Sequence, residues 1–176
     1  MTETALDPYG ALIEPATLRI QRLLPGPVER VWAYLTESEL RRQWLASGDM
    51  EMKVGAAFDL SWRNNELTDP PGTPPDGFDG RHSLASRITD LVPLRRLGIE
   101  WGNTGGVIFE LEPMGEEVML TVTHRRVPDR SVLVNVSAGW HAHLNVLAAR
   151  LHETAPEPFW SQWRSLKSDY DRRIPA

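Results

Sequence analysis

The chain contains no cysteine. That absence excludes disulfide staples, thiolate catalysis and cysteine-ligated zinc. The sequence also lacks any apolar run approaching the ~20 residues that a spanning helix needs, so no membrane span is expected. Its opening residues, Met1-Thr2-Glu3-Thr4-Ala5-Leu6-Asp7, hold neither the basic nor the apolar block of a secretory signal. A cytoplasmic protein is the expectation. Nor is there a surplus of positive charge: 19 Lys and Arg stand against 24 Asp and Glu, a net charge of -5. That balance favours solubility and argues against a nucleic-acid surface. The arginine pairs at 41–42, 95–96, 125–126 and 172–173 are scattered among acidic neighbours and read as solvated faces. No G-x-S-x-G nucleophile turn occurs. The glycine-rich stretch 102–106 has no lysine and leads into a strand, so it is not a phosphate loop.

What is present suits one domain with a sizeable core. The chain has 176 residues, of which 41% are hydrophobic and 24% charged, outside the range of disordered or membrane proteins. Seven tryptophans are many for this length. Large aromatics mostly pack cores, but several together also line ligand cavities.

Residues 1–16 show no period and are expected to form an arm. Leu18 and Ile20 alternate with Arg19 and Gln21, as in a half-exposed strand. Pro25-Gly26-Pro27 stops it, and Pro27 suits the first position of a helix. Val28, Val31, Trp32 and Leu35 form that helix's apolar stripe. Thr36 followed by Glu39 is a capping-box pattern for a second short helix carrying Leu40, Trp44 and Leu45. Met50–Val54 alternates and predicts a short strand, followed by Phe58, Leu60 and Trp62 in another. Residues 64–79 are rich in Asn, Pro and Gly and predict a long loop, the kind that covers a site or contacts a partner. Strand patterns resume at Leu84–Ile88, Leu97–Trp101, Val107–Leu111 and Val118–His124, joined by short turns. A meander of antiparallel strands is expected.

A long helix then begins between Ser131 and Gly139, with Pro156 and Pro158 ending it. Trp140, Leu144, Leu147 and Leu151 recur at helical spacing, so one apolar face is expected to lie across the sheet. Phe159, Trp160, Trp163, Leu166 and Tyr170 mark a final helix with an aromatic face. The order is strand, two short helices, about six antiparallel strands, then a long helix. This predicts an α+β helix-grip fold, a curved antiparallel sheet wrapped around a long C-terminal helix.

The same strings carry a family resemblance. They are Pro27-Val28-Glu29-Arg30-Val31-Trp32 with Leu35-Thr36, then Leu40 to Trp44-Leu45, then Gly55 through Phe58, Leu60 and Trp62. Phe109-Glu110-Leu111-Glu112-Pro113 precedes Leu120-Thr121-Val122-Thr123-His124, and Gly139-Trp140 with Leu144, Leu147 and Leu151 completes the set. Over residues 17–152 their order and spacing resemble the START-like (SRPBCC) superfamily, specifically bacterial members related to the Hsp90 ATPase activator homologue family. The resemblance implies a single START-like domain over residues 17–176. The helix within 157–173 looks like an extension found in bacterial relatives. It also implies a cavity between the long helix and the sheet, which in relatives holds lipids, sterols, polyketides or other apolar molecules.

The residues expected to face inward are Trp44, Phe58, Leu60, Trp62, Ile99, Trp101, Phe109, Leu111, Thr121, Thr123, Trp140, His143 and Leu144. They are either packed core or the wall of a pocket for a moderately apolar ligand with one polar end. His124, His143 and Arg125 are the expected polar groups at its mouth. His141 and His143 form an H-x-H pair, but residues two apart on a helix point about 200° apart and cannot share one ion. No metal and no cofactor are expected, and His141 is expected to look away from the pocket. Asp59, Glu100, Glu110, Arg63 and Arg87 fall on outer faces.

Binding of a small hydrophobic or lipid-like ligand is the leading expectation. An enzyme using His124 or His143 as acid or base is a second. A stress or chaperone-accessory interaction module is a third. The aromatic face of the last helix is offered to the chain's own core or to a second copy. A helix this short is marginal unless covered, which favours the core.

Overall fold

The structure is a computed structural model and describes residues 7–14, 16–75, 81–102 and 105–175. Seven strands among these residues form one antiparallel sheet: β1 (Ala11–Glu14), β2 (Thr17–Pro25), β3 (Ala57–Arg63), β4 (Arg81–Val92), β5 (Arg96–Glu100), β6 (Gly106–Met114) and β7 (Glu117–Arg125). Their spatial order is β1-β2-β7-β6-β5-β4-β3. The helices are α1 (Val28–Thr36), α2 (Ser38–Arg41), α3 (Arg130–His152) and α4 (Phe159–Arg173). This is the helix-grip arrangement, with α3 held by the sheet.

Alternation does most of the positioning. In β2, Leu18, Ile20 and Leu24 are buried, and in β6 Val107, Phe109 and Leu111 are buried. Val118, Leu120 and Val122 of β7 extend the same inner face. Register fixes it: Ile20 lies opposite Val122, Phe109 opposite Val122, and Leu111 opposite Leu120. A slip of one residue would turn all of these to solvent.

Several local expectations need correction. The segment 1–16 is not all arm, because Ala11–Glu14 pairs with β2 as an edge strand. All four of its residues are exposed, so it carries no inward pattern to read. Met50–Val54 forms no strand, and five strands rather than six follow the short helices. Met52 and Val54 are both exposed, and the chain turns at Gly55, where φ is +92°. The Thr36–Glu39 capping box does not form. Thr36 Oγ1 donates back to the Trp32 carbonyl at 2.9 Å, and α2 starts after Glu37 without a side-chain cap. Pro27 stands one position before the first helical residue and offers its carbonyl to Arg30 and Val31.

The α3 helix starts at Arg130, where the Asp129 carboxylate accepts from the Val132 amide at 2.9 Å. It ends before Pro156, at Glu153 in the left-handed conformation. Its buried residues include Leu133, Val134, Trp140, His141, His143, Leu144 and Leu147, which lie on more than one face. The single apolar stripe expected from sequence is therefore too narrow. The physical reason is α4, which packs on α3 and buries Phe159, Trp160, Leu166 and Tyr170 in the process. The aromatic face of α4 is covered by its own chain.

The Pro-rich loop is also tied down. Leu67 and Thr68 are buried. Thr68 Oγ1 accepts from the Phe159 amide at 2.9 Å, and the Pro71 carbonyl accepts from the Trp160 amide at 2.9 Å. Arg150 Nη2 donates to the Leu67 carbonyl at 2.7 Å, joining the loop to α3. The rest of that expected loop, 76–79, lies outside the described residues, as do 1–6 of the arm.

Candidate functional site

A two-lobed cleft opens beside the middle of α3. The first lobe, about 290 Å³, is bounded by Val136, Gly139, Trp140 and His143 of α3, Trp62 and Asn64 at the end of β3, His82 of β4, Trp101 and Leu45. The second, about 240 Å³, is bounded by Asn64, Pro75, Gly139, His143 and the α4 residues Phe159, Trp160 and Trp163. Asn64, Gly139 and His143 belong to both lobes and form the waist between them.

The local sequence explains the opening. Gly139 sits within α3, and a Cβ placed on it would meet nothing within 4 Å. The cleft thus passes over a helix face that has no side chain. Trp62 and His82 are register partners across β3 and β4 with ring centroids 5.5 Å apart. Trp101 then bridges to Trp62 at 5.4 Å and to Trp140 at 5.2 Å. Three indoles make one continuous aromatic wall. Trp140 is held by its Nε1, which donates to His124 Nδ1 at 3.1 Å. His124 is buried beneath that wall, not at the mouth.

His143 Nδ1 lies 2.8 Å from the Trp44 carbonyl. A carbonyl only accepts, so Nδ1 carries the proton and Nε2 keeps a lone pair. Burial pushes the ring's pKa down to about 4, which keeps it neutral. Asn64 is 9% exposed, and its Oδ1 accepts no hydrogen bond among the described residues. Among the described residues, no carboxylate lines either lobe.

The residues expected to line a pocket separate into three groups. Trp62, Trp101, Trp140 and His143 are in the wall. Trp44, Phe58, Leu60, Ile99, Phe109, Leu111 and Leu144 are buried in the core away from both lobes of the cleft. Thr121 and Thr123 are a correction: they flank Val122 and face the other side of the sheet, beside Arg19, Gln21 and Glu110 in a polar basin. The period of two gives the reason, since Val122 and His124 point inward. Arg125 is exposed and lies on that outer basin as well, not at the cleft. Residues that the sequence reading missed are Leu45, Asn64, Pro75, His82, Val136 and Gly139. Of these Gly139 left a signal, a glycine where a helix stripe needs a side chain.

His141 looks away from the cleft but is buried, against Tyr9 and Tyr170. Its Nδ1 is 2.9 Å from the Tyr170 hydroxyl. Burial first, then the Arg22 charge, lowers its pKa to about 4. No group of three His, Asp or Glu among the described residues is arranged to hold a metal ion. No helix among them is long and apolar enough to cross a membrane.

The family model described as Activator of Hsp90 ATPase homolog 1-like protein matches residues 25–152. The chain belongs to this family. A protein from Bordetella parapertussis solved by NMR is similar at 37% identity, with 100% of this chain and 97% of that one covered and a TM-score of 0.79. CalU16 from Micromonospora echinospora is 18% identical over 91% of this chain and 89% of its own, with a TM-score of 0.67. The Aha1 dimer from Colwellia psychrerythraea is 15% identical over 77% and 95%, with a TM-score of 0.56. The last two likenesses are of fold. No curated protein matches. In this activator-homologue-like domain the matched residues stop at the end of α3, so the α4 wall of the second lobe lies beyond them.

Proposed function

We propose that this domain binds a small, flat, largely apolar molecule in the cleft beside α3. The observation that carries the reading is the aromatic wall of Trp62, Trp101 and Trp140 facing open space over Gly139. Indoles left beside an unfilled volume forgo close contacts that packed cores make, and a flat ligand restores them. The first lobe is at the small end of the roughly 300–1,000 Å³ usual for small-molecule sites, so a bicyclic ring system is a suitable size.

Binding is favoured over catalysis by the state of His143. A ring with a pKa near 4 is a weak base at neutral pH, and among the described residues no carboxylate lines the cleft beside it. A protein-interaction role through α4 is disfavoured because Phe159, Trp160 and Tyr170 are already buried in the chain.

The test is a heteronuclear NMR titration with 2-naphthol, following the indole N–H signals of Trp62, Trp101 and Trp140. Saturable shifts are expected in the wild type and none in Gly139→Leu, whose new side chain fills the waist. Absence of saturable shifts in the wild type, or equal shifts in a folded Gly139→Leu, would overturn the reading.

A further inference from the structure

The second lobe of the cleft is walled where the loop after β3 meets the start of α4. The chain fixes that meeting with its own bonds. The Phe159 amide donates to Thr68 Oγ1 and the Trp160 amide to the Pro71 carbonyl, each at 2.9 Å. Arg164 donates from Nε to the Thr73 carbonyl at 3.0 Å and from Nη2 to the Pro74 carbonyl at 3.1 Å, which sets Pro75 at the lobe. Gly72 permits the close approach: its φ is +79°, and a Cβ there would stand 2.9 Å from the Ser161 amide nitrogen. The far end of α4 is pinned to α3, where Arg130 donates to the Asp171 carboxylate at 2.9 Å and to the Asp171 and Ile174 carbonyls at 2.7 and 2.9 Å. Trp163 is braced by the Trp160 ring, 5.8 Å away at 83°, and by the Lys167 ammonium, 5.2 Å from its centroid. A guest in this lobe meets a surface it does not have to order.

We propose that the cleft is a bipartite site whose ligand is an elongated, largely apolar molecule of two ring systems joined end to end. One ring system lies on the indole wall of the first lobe, the other on Phe159 and Trp163 in the second, and the junction passes over Gly139. This rests on the binding role proposed above and gives its ligand a length. The lobes are of similar size, about 290 and 240 Å³, and share Asn64, Gly139 and His143. Each alone is below the roughly 300–1,000 Å³ usual for a small-molecule site, and the two together fall within it. Aromatic rings stand on both sides of the waist, so both halves offer stacking surface. Gly139 leaves the passage between them free of a side chain. Joining the ring systems makes seating the second an intramolecular event, so its contacts add to affinity without a second cost of association. The α4 half of the site lies beyond the residues that the family model matches.

The experiment titrates the full chain with 2-naphthol and with 6-phenyl-2-naphthol, followed by NMR. The longer probe is expected to bind about tenfold more tightly, the ratio that burying one further ring supplies. Intermolecular nuclear Overhauser contacts locate its two ends: one ring system should contact Trp101 and Trp140, and the other Phe159 and Trp163. In Trp163→Ala the advantage of the longer probe should fall to about twofold or less, because the second ring loses its stacking surface. If that variant does not fold, the contacts in the wild type decide. Three results would overturn the bipartite site and leave the binding role standing. They are equal affinity for the two probes, contacts from both ends of the longer probe to one lobe alone, and an undiminished advantage in folded Trp163→Ala. Failure of both probes to bind saturably overturns the binding role as well.

Discussion

The two buried histidines of α3 sit two residues apart and face opposite surroundings. His141 meets a closed neighbourhood rich in hydrogen bonds. Its Nδ1 reaches the Tyr170 hydroxyl, which also accepts from the Gly10 amide at 2.8 Å. Tyr9 donates to Asp169 at 2.9 Å and lies under the Arg173 guanidinium. Arg22 donates to the Pro8 carbonyl at 2.6 Å and to Asn145 Oδ1 at 3.1 Å. His143, by contrast, is anchored through one nitrogen to a backbone carbonyl and otherwise looks into aromatic space. One side of the helix holds the N-terminal segment to α4 through hydrogen bonds. The other passes over a glycine into an open cleft. Folding alone explains the first arrangement. The second costs stability, as a glycine inside a helix does, and fits the binding role proposed above.

Acid should act on both sides and have the largest effect. Each histidine has a folded pKa of about 4, below its ordinary 6.5, so the unfolded chain takes up the proton more readily. Stability is therefore complete above about pH 6.5 and is lost as pH falls towards 4, on the order of 3 kcal/mol for His143. Urea unfolding at a series of pH values measures this. His143→Gln should reduce the proton uptake on unfolding by about one; an unchanged slope would mean the ring is not buried neutral.

Breaking the closed side alone should cost less. Tyr170→Phe strands the Gly10 amide and His141 Nδ1, for an expected loss of about 2 kcal/mol. The affinity for 2-naphthol should not change in the folded protein, because Tyr170 is not in the cleft. A large drop in affinity would show that the two sides are coupled through α3.

Altering the open side should have the smallest effect on stability, and of opposite sign. Gly139→Ala is expected to stabilise the fold by about 1 kcal/mol, since a helical alanine replaces glycine and its Cβ meets no neighbour. The same methyl narrows the waist and should weaken 2-naphthol binding. A variant that is both more stable and a better binder would contradict the role given to that glycine.

The fold was legible wherever one face is buried and the other is wet. Leu18 and Ile20 of β2 and Val118, Leu120 and Val122 of β7 alternate in the sequence as they do in space. The β1 strand was not legible because its four residues are all exposed and follow no inward pattern. The apparent width of the α3 stripe was misleading because α4, distant in sequence, covers a second face. The cleft was half legible. Its indoles announced themselves by number, but Asn64 looked like loop and acts as wall, and Gly139 contributes by the atoms it lacks. Thr121 and Thr123 were misplaced by a register error of one, which alternation with Val122 and His124 corrects.

The aromatic wall has an optical consequence. Trp62, Trp101 and Trp140 are held in a fixed chain of ring contacts of 5.4 and 5.2 Å, crossed at 73° and 43°. Transitions on chromophores this close and skewed exchange excitation, and a rigid, handed array of them rotates light strongly in the near ultraviolet. The domain therefore carries its own dichroic label at the place where a guest would sit, and any molecule that wedges those rings apart announces itself without being labelled.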